Sequence, residues 1–100
     1  MPRLSMEHPH ALGQDEAIQR IKAKIEKDKE AYAGKFNNAN DVWEGNTLNF
    51  GFEAVGMTVS GTMTVEESAV KIDAKLPLAA MMFKGIVEQK THEELEKLLA

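Results

Sequence analysis

The three histidines are the side chains best suited to proton transfer or metal binding near neutral pH. His8 and His10 are two positions apart, so on a strand they would face one side and could share a metal ion. Pro9 interrupts regular strand geometry between them, and no third ligand is evident nearby. His92 would approach them only if the fold brought it there. The simpler interpretation is that His10 hydrogen-bonds backbone near the start of the first helix, and we predict no metal site and no cofactor.

Other catalytic motifs are not found in the sequence. Ser60-Gly61 falls inside an alternating strand pattern and lacks the sharp turn of a nucleophile elbow. Neither a P-loop nor a G-x-G-x-x-G phosphate cradle is present. The side chains of the adjacent pairs Glu66-Glu67 and Glu93-Glu94 should point apart, as on a solvated surface. Since there is also no cysteine, a thiolate nucleophile is excluded. We therefore predict no catalytic residues and a protein that is not an enzyme.

The composition is that of one ordinary globular domain spanning residues 1–100, with 43% hydrophobic and 28% charged residues. A net charge of -4 argues against a nucleic-acid partner and against attraction to anionic lipid. The alternation of lysines with acidic residues between Lys22 and Glu30 indicates a solvated helix face. No apolar run approaches the roughly 20 residues of a membrane span. We expect a cytoplasmic protein.

The first half of the chain predicts a strand, a helix and a hairpin. Arg3 to His8 alternates like an edge strand. Gly13 is a suitable N-cap for a helix that should end at Gly34, with Lys35 beside its carbonyl end. The apolar stripe of this helix consists of Ile18, Ile21, Ile25 and Tyr32. Asparagines in Phe36 to Asn40 indicate a loop, after which Val42 and Trp43 open a short strand, and Gly45-Asn46 makes a tight turn.

The second half predicts three strands and a helix. Strict alternation is the evidence for the strands, whose apolar faces contain Leu48, Phe50 and Phe52, then Met57, Val59, Gly61, Met63 and Val65, then Val70, Ile72, Ala74 and Leu76. A turn at Gly56 separates the first two, and Pro77 stops the last. From about Leu78 the chain is predicted helical, with an apolar stripe of Met82, Phe83, Ile86, Val87, Thr91, Leu95, Leu98 and Leu99.

These elements give the order β-α-β-β-β-β-α, an α+β fold. Sequential hairpins favour an antiparallel meander. One sheet face is apolar, so both helices should pack on it, in a helix-grip-like arrangement with a curved antiparallel sheet. Gly61, without a Cβ, would let a helix approach or the sheet bend.

Two surfaces are candidate binding sites. The residues Trp43, Phe50, Phe52, Met57, Met63, Met82 and Phe83 could line an apolar pocket between the sheet and the last helix, although ordinary core packing explains them more simply. The row Thr58, Ser60, Thr62 and Thr64 could pair with a second copy in a homodimer, although a solvated sheet face explains it more simply.

The sequence also resembles a known family. The segments His10 to Gly13, Trp43 to Phe50, Gly61 to Val65, Ala74 to Pro77 and Phe83 to Ile86, with a leucine-rich end, follow the order and spacing of the small bacterial polyhydroxyalkanoic acid system proteins. The polar insert Phe36 to Asp41 departs from that pattern, which leaves the start of the second strand open. No catalytic residues are assigned by the resemblance.

The resemblance implies a context, intracellular storage of polyhydroxyalkanoate polyester. It leads us to expect a non-enzymatic accessory protein that binds the granule surface or a granule protein. The alternative is a carrier or sensor for a small hydrophobic ligand, held in a cavity between the sheet and the C-terminal helix.

Overall fold

A five-stranded antiparallel sheet and two α-helices form the fold. The structure is a computed structural model that describes residues 3–31, 37–54 and 56–100. Its elements are β1 (Arg3–Pro9), α1 (Gln14–Ala31), β2 (Asn37–Glu44), β3 (Thr47–Ala54), β4 (Met57–Val65), β5 (Ala69–Lys75), a 3-10 helix (Leu78–Phe83) and α2 (Lys84–Leu98). The α+β class and the order of elements predicted from the sequence are confirmed.

The strands lie in the order β1-β5-β4-β3-β2, so the last four form a meander and β1 is an edge strand beside β5. The register places apolar side chains in rows across one face. One such row runs through the pairs that join Met6, Ile72, Met63, Leu48 and Trp43 in order. Because side chains alternate along every strand, this face is the inner, helix-covered one, and the threonines of β4 lie on the outer face.

Glycines make the turns and one close contact in the sheet. Gly45 and Gly56 have positive φ, 61° and 75°, at the two turns where the sequence predicts reversals. Gly61 pairs with Ala74 of β5. A Cβ at Gly61 would stand 2.7 Å from the Cα of Ala74, so the space is filled by a neighbouring strand. The atoms beside Gly61 therefore belong to β5 and not to a helix, and the bend of the sheet predicted at Gly61 stays a prediction.

Strand β2 is longer than the sequence predicts. The expected loop over Phe36 to Asn40 is wrong from Asn37 onward, because β2 begins there. Asn37 pairs with Glu53 and Asn40 with Gly51, with a register irregularity between the two pairs. Pairing with β3 therefore outweighs the low strand propensity of asparagine. Phe36 lies outside the described residues.

Helix α1 begins after Gly13, whose carbonyl accepts a hydrogen bond from Ala17 N–H at 3.1 Å, as expected of an N-cap. The carboxylate of Glu67, in the β4–β5 turn, accepts a hydrogen bond from Gln14 N–H at 3.3 Å. A negative group there is favoured by the helix dipole. Tyr32, Gly34 and Lys35, where the sequence places the end of the stripe and of the helix, lie outside the described residues.

The core between sheet and helices has two parts. The larger contains Ala17, Ile21, Val65, Val70, Ile72, Leu95 and Leu99. The smaller contains Leu4, Ala74 and Leu76, and Met6 packs against both. Both helices contribute to the larger cluster, which confirms that they pack on the same, inner face. The apolar stripe predicted for α2 contributes only its C-terminal part to the buried residues.

Candidate functional site

The most unusual surface feature is a cluster of exposed apolar side chains around the start of α2. Seven large hydrophobic residues of the described chain are exposed, and six of them fall within ten positions: Leu78, Met81, Met82, Phe83, Ile86 and Val87. We call these six the apolar segment. Met82 is 80% exposed and Leu78 79%. Isolated exposed hydrophobics are common on soluble proteins, whereas a concentrated patch is typical of an interaction surface.

The local sequence explains why this segment is helical yet uncovered. Strand β5 ends at Lys75, and Pro77 then leads into the 3-10 helix, whose Ala80 N–H donates to the Pro77 carbonyl at 2.9 Å. Ala80 packs on the smaller core cluster and fixes the turn to the sheet. Between Leu76 and Val87 the only charged residue is Lys84. Such a run is apolar on every face of a helix, so a single sheet contact leaves part of it in water.

The C-terminal half of α2 is firmly attached to the rest of the protein. Leu95 and Leu99 are buried in the larger core cluster. The guanidinium of Arg20 on α1 donates to the carbonyl oxygens of Leu98 at 3.1 Å and Ala100 at 2.8 Å. Lys24 lies 3.7 Å from the carboxylate of Glu94. Helix α2 therefore has an anchored C-terminal half, whereas its exposed first half continues the apolar segment of the 3-10 helix with Ile86 and Val87.

The residues of the predicted apolar pocket are divided between two environments. Trp43 and Met63 are partly buried against the larger core cluster, and Phe50 against the smaller one. Phe52 and Met57 are also partly buried. Met82 and Phe83 instead belong to the exposed apolar segment, and Phe83 is 49% exposed. The pocket, and with it the ligand-carrier hypothesis, stays a prediction.

The predicted dimer face lies on the outer side of the sheet. Thr58, Ser60, Thr62 and Thr64 are partly or fully exposed there. In register beside the last three are charged residues of β5, namely Lys75, Asp73 and Lys71. A shallow depression of about 530 Å³ on this face is bordered by Thr62, Thr64, Lys71 and Asp73, among others. Burying the row in a homodimer would desolvate those charges, and pairing of two copies through it stays a prediction.

The structure pairs His8 with His92 and not with His10, the neighbour considered from the sequence. The fold brings His92 of α2 to His8 of β1, with 3.1 Å between their Nδ1 atoms. Within residues 3–31, 37–54 and 56–100, no three histidine or acidic side chains come together in a way that could hold a metal ion. Burial and the neighbouring His92 lower the pKa of His8, whereas Glu96 acts in the opposite direction.

His10 has the structural role that the sequence indicates. Its Nδ1 accepts a hydrogen bond from Leu12 N–H at 3.2 Å, and its Nε2 lies 3.0 Å from the carbonyl oxygen of Glu66. The ring therefore carries its proton on Nε2 and donates it to the β4–β5 turn. This contact near the start of α1 confirms the backbone-bonding interpretation of His10.

The acidic pairs are surface groups with separate partners. Glu66 lies 3.4 Å from Lys71, while Glu67 caps α1. Glu94 faces Lys24, while Glu93 accepts a hydrogen bond from Gln89 at 3.3 Å. Neither pair places two carboxylates on a common partner, so neither is arranged as an acid/base couple.

Electrostatic contacts also tie α1 to β2. The Lys29 ammonium lies 2.7 Å from the Asp41 carboxylate, and its hydrogen bonds to Asp41 and Glu26 raise the pKa of Lys29. The Lys22 ammonium lies 5.2 Å from the ring centroid of Trp43. Part of the lysine-rich face of α1, predicted to be solvated, thus contacts the far edge of the sheet.

The family model described as "Putative polyhydroxyalkanoic acid system protein" matches residues 4–99. The chain belongs to this family. The match spans β1, the sheet and the anchored end of α2, which confirms the resemblance seen in the sequence. No curated protein and no solved structure matches the chain. None of the helices in the described part of this family member is long and apolar enough to cross a membrane.

Exposure of the apolar segment is the feature that sequence reasoning missed. The stripe at 3.6 spacing was compatible with burial along the whole last helix. A signal was available in the run from Leu76 to Val87, where apolar residues occupy all sides of the helix and exceed what one sheet contact can cover.

Proposed function

We propose that this protein is a non-enzymatic accessory protein of polyhydroxyalkanoate storage that binds the polyester granule surface in the cytoplasm through its apolar segment. The observation that carries the proposal is the concentration of Leu78, Met82, Phe83 and their neighbours on one exposed stretch. Membership of the polyhydroxyalkanoic acid system family supplies the context.

The chemistry of the segment suits a hydrophobic polymer surface. A polyester presents a broad apolar surface with no fixed pocket shape, and flexible methionine side chains adapt to irregular apolar partners. Met81 and Met82 are adjacent at the centre of the segment. Lys84 can extend its stem along the surface while its ammonium stays in water.

The magnitude of the available free energy is adequate for reversible binding. Each large apolar side chain transferred from water contributes roughly 1.5 to 3 kcal/mol when fully buried. Six partly exposed side chains supply only part of that sum, and association has its own entropic cost. Removing two of them should lower the affinity about tenfold or more, since 1.4 kcal/mol corresponds to a factor of ten.

Co-sedimentation with protein-free polyhydroxybutyrate particles tests the proposal. We expect the wild-type protein to pellet with the particles and the double variant Met82→Ser/Phe83→Ser to remain largely in solution. The matched control is Val42→Ser, since Val42 is 54% exposed but lies on β2, away from the apolar segment.

Two outcomes would contradict the proposal. If the wild-type protein stays in solution with bare particles, the segment does not bind the polymer. Capture only by particles coated with granule proteins would then identify a protein partner. If Met82→Ser/Phe83→Ser and Val42→Ser pellet equally well, binding takes place elsewhere on the molecule.

A further inference from the structure

The contact between His8 and His92 is a hydrogen bond along a straight line. Their Nδ1 atoms are 3.1 Å apart and their ring centroids 5.4 Å apart, with the planes tilted by 42°. The separation of the centroids exceeds the N···N distance by about twice the distance from an imidazole centroid to its own nitrogen. The two Nδ1 atoms therefore lie on the line that joins the centroids, and each points at the other. One Nδ1 must carry a proton and donate it, while the other presents its lone pair.

This geometry suits a shared proton and not a shared metal ion. Two histidine ligands of one ion direct their lone pairs at a common third point, whereas here each nitrogen is directed at the other. Three protonation states of the pair are possible, and they differ in what they permit. With no extra proton the hydrogen bond forms, and with one it forms between imidazolium and imidazole. With two, both nitrogens are donors, the bond is lost, and two positive charges repel.

The His8–His92 pair contacts α2 between its exposed and its buried part. The apolar segment ends at Val87, and the buried part of the helix begins at Leu95. His92 lies between them and contacts His8 of the edge strand β1, so this contact attaches α2 to the sheet between the apolar segment and Leu95. The charged and titratable groups acting on His8 are His92 and Glu96 from α2 and His10 from the chain after β1. Its partner in β5 is the buried Val70.

We propose that the His8–His92 hydrogen bond is a proton-sensitive clasp that fixes the middle of α2 to β1. Acidification breaks this bond and detaches α2 from β1 as far as Leu95, where the helix remains buried in the core. Glu96 favours the first added proton and cannot compensate for the loss of the bond with the second. When the clasp opens, the part of the chain that is not attached to the sheet extends from the apolar segment to Leu95. The clasp does not depend on what the apolar segment binds.

Hydrogen exchange of the wild-type chain and two variants tests the clasp. Exchange in α2, corrected for the intrinsic pH effect, is compared at about pH 7.5 and about pH 5, on either side of the ordinary histidine pKa. We expect protection of residues 84–94 in the wild type to be lower at the acidic pH, because a doubly protonated pair cannot form the hydrogen bond and its two charges repel. His92→Asn keeps an amide at the Nδ1 position that does not titrate, so its protection should change far less.

The matched control is His10→Asn, which removes a histidine whose partners are backbone groups, the Glu66 carbonyl in the β4–β5 turn and Leu12 N–H before α1. It should retain the wild-type pH response in α2. An equal response in wild type and His92→Asn would overturn the clasp, as would a wild type whose α2 protection does not change.

A second measurement needs no variant. Nitrogen-15 shifts of the histidine rings at neutral pH should show one of His8 and His92 protonated on Nδ1 and the other on Nε2. Finding both rings predominantly protonated on Nε2 would mean that no hydrogen bond joins the Nδ1 atoms, and the proposal would fail on the native protein itself.

Discussion

Arg20 of α1 closes the C-terminal end of α2 by donating from one guanidinium nitrogen to the carbonyl oxygen of Leu98 at 3.1 Å, and to that of Ala100 at 2.8 Å. The last carbonyl groups of a helix have no partner within the helix, and a positive charge there also complements the helix dipole. The residues that carry this contact are 78 positions apart, so it joins the two helices across most of the sequence.

We predict that Arg20→Met lowers the free energy of unfolding by about 1 to 2 kcal/mol, because it removes charge-assisted hydrogen bonds to carbonyl groups that are only partly screened by water. Urea denaturation measures the change. Arg3→Met is the control, since Arg3 lies 3.7 Å from Asp73 with both side chains well exposed, and it should change stability by less than about 0.5 kcal/mol. Equal losses in the two variants would refute a special role for Arg20.

Gly61→Ala should destabilise the sheet by about 1 to 3 kcal/mol, the usual cost of forcing extra volume into a packed site. The added Cβ would lie 2.7 Å from the Cα of Ala74 and still closer to the Asp73 carbonyl oxygen, and backbone cannot move aside cheaply. Gly51→Ala is the matched control in the neighbouring strand, where the nearest atom would be 3.4 Å away.

Thermal or urea unfolding of both glycine variants measures the difference in stability between them. Because both lose the flexibility of a strand glycine, any gain in strand propensity is common to the two and cancels in the comparison. A Gly61→Ala variant as stable as Gly51→Ala would mean that β4 and β5 can separate locally at no cost.

Much of the fold could be predicted because alternation and turn residues are local signals. The strand from Met57 to Val65 and the turn at Gly45 follow directly from side-chain pattern and positive φ. The start of β2 could not be predicted, because asparagine has a low strand propensity. Asn37 and Asn40 belong to a strand only because they pair with β3.

The candidate site was less accessible to sequence reasoning, for a related reason. Helical spacing shows which side chains share a face, but it does not show how far a neighbouring element extends to cover that face. Leu95 and Ile86 belong to the same predicted stripe, yet one is 5% exposed and the other 59%. The approach of His92 to His8, 84 positions away, likewise depends on the tertiary fold alone.

The pH dependence of stability should reflect the lowered pKa of His8, which is caused first by burial and then by His92. In the unfolded chain His8 takes up a proton near its ordinary pKa of 6.5, whereas in the folded chain it does so only at lower pH. The unfolded state therefore binds more protons in this window, and the free energy of unfolding falls as pH decreases below about 6.5.

Urea denaturation of wild type and His8→Asn at several pH values checks this sign. Carboxylates titrate in both proteins and largely cancel in the difference. The wild type should lose stability relative to His8→Asn as the pH falls from 7 toward 5. A difference that stays constant with pH, or that grows in favour of the wild type at low pH, would contradict the prediction.

Because α2 has an anchored half and an exposed half, alanine substitutions in the two halves should affect different properties, the stability of the fold in one case and binding in the other. Leu95→Ala removes a buried side chain and should cost about 2 to 5 kcal/mol of stability. Ile86→Ala removes an exposed one and should change stability by less than about 0.5 kcal/mol, while weakening binding to polyhydroxybutyrate particles. Leu95→Ala, assayed at a temperature where it is still folded, should bind them as the wild type does.

Urea denaturation and particle co-sedimentation of the same two variants separate the halves, since each substitution removes an aliphatic side chain from a helical position. If Ile86→Ala proves as destabilising as Leu95→Ala, the first half of α2 is packed against the protein, and the apolar segment is not available to a partner. If it leaves both stability and binding unchanged, Ile86 lies outside the binding surface and the contact is centred on Met82 and Phe83. Loss of binding without loss of stability is the combination that only a solvent-facing contact residue produces.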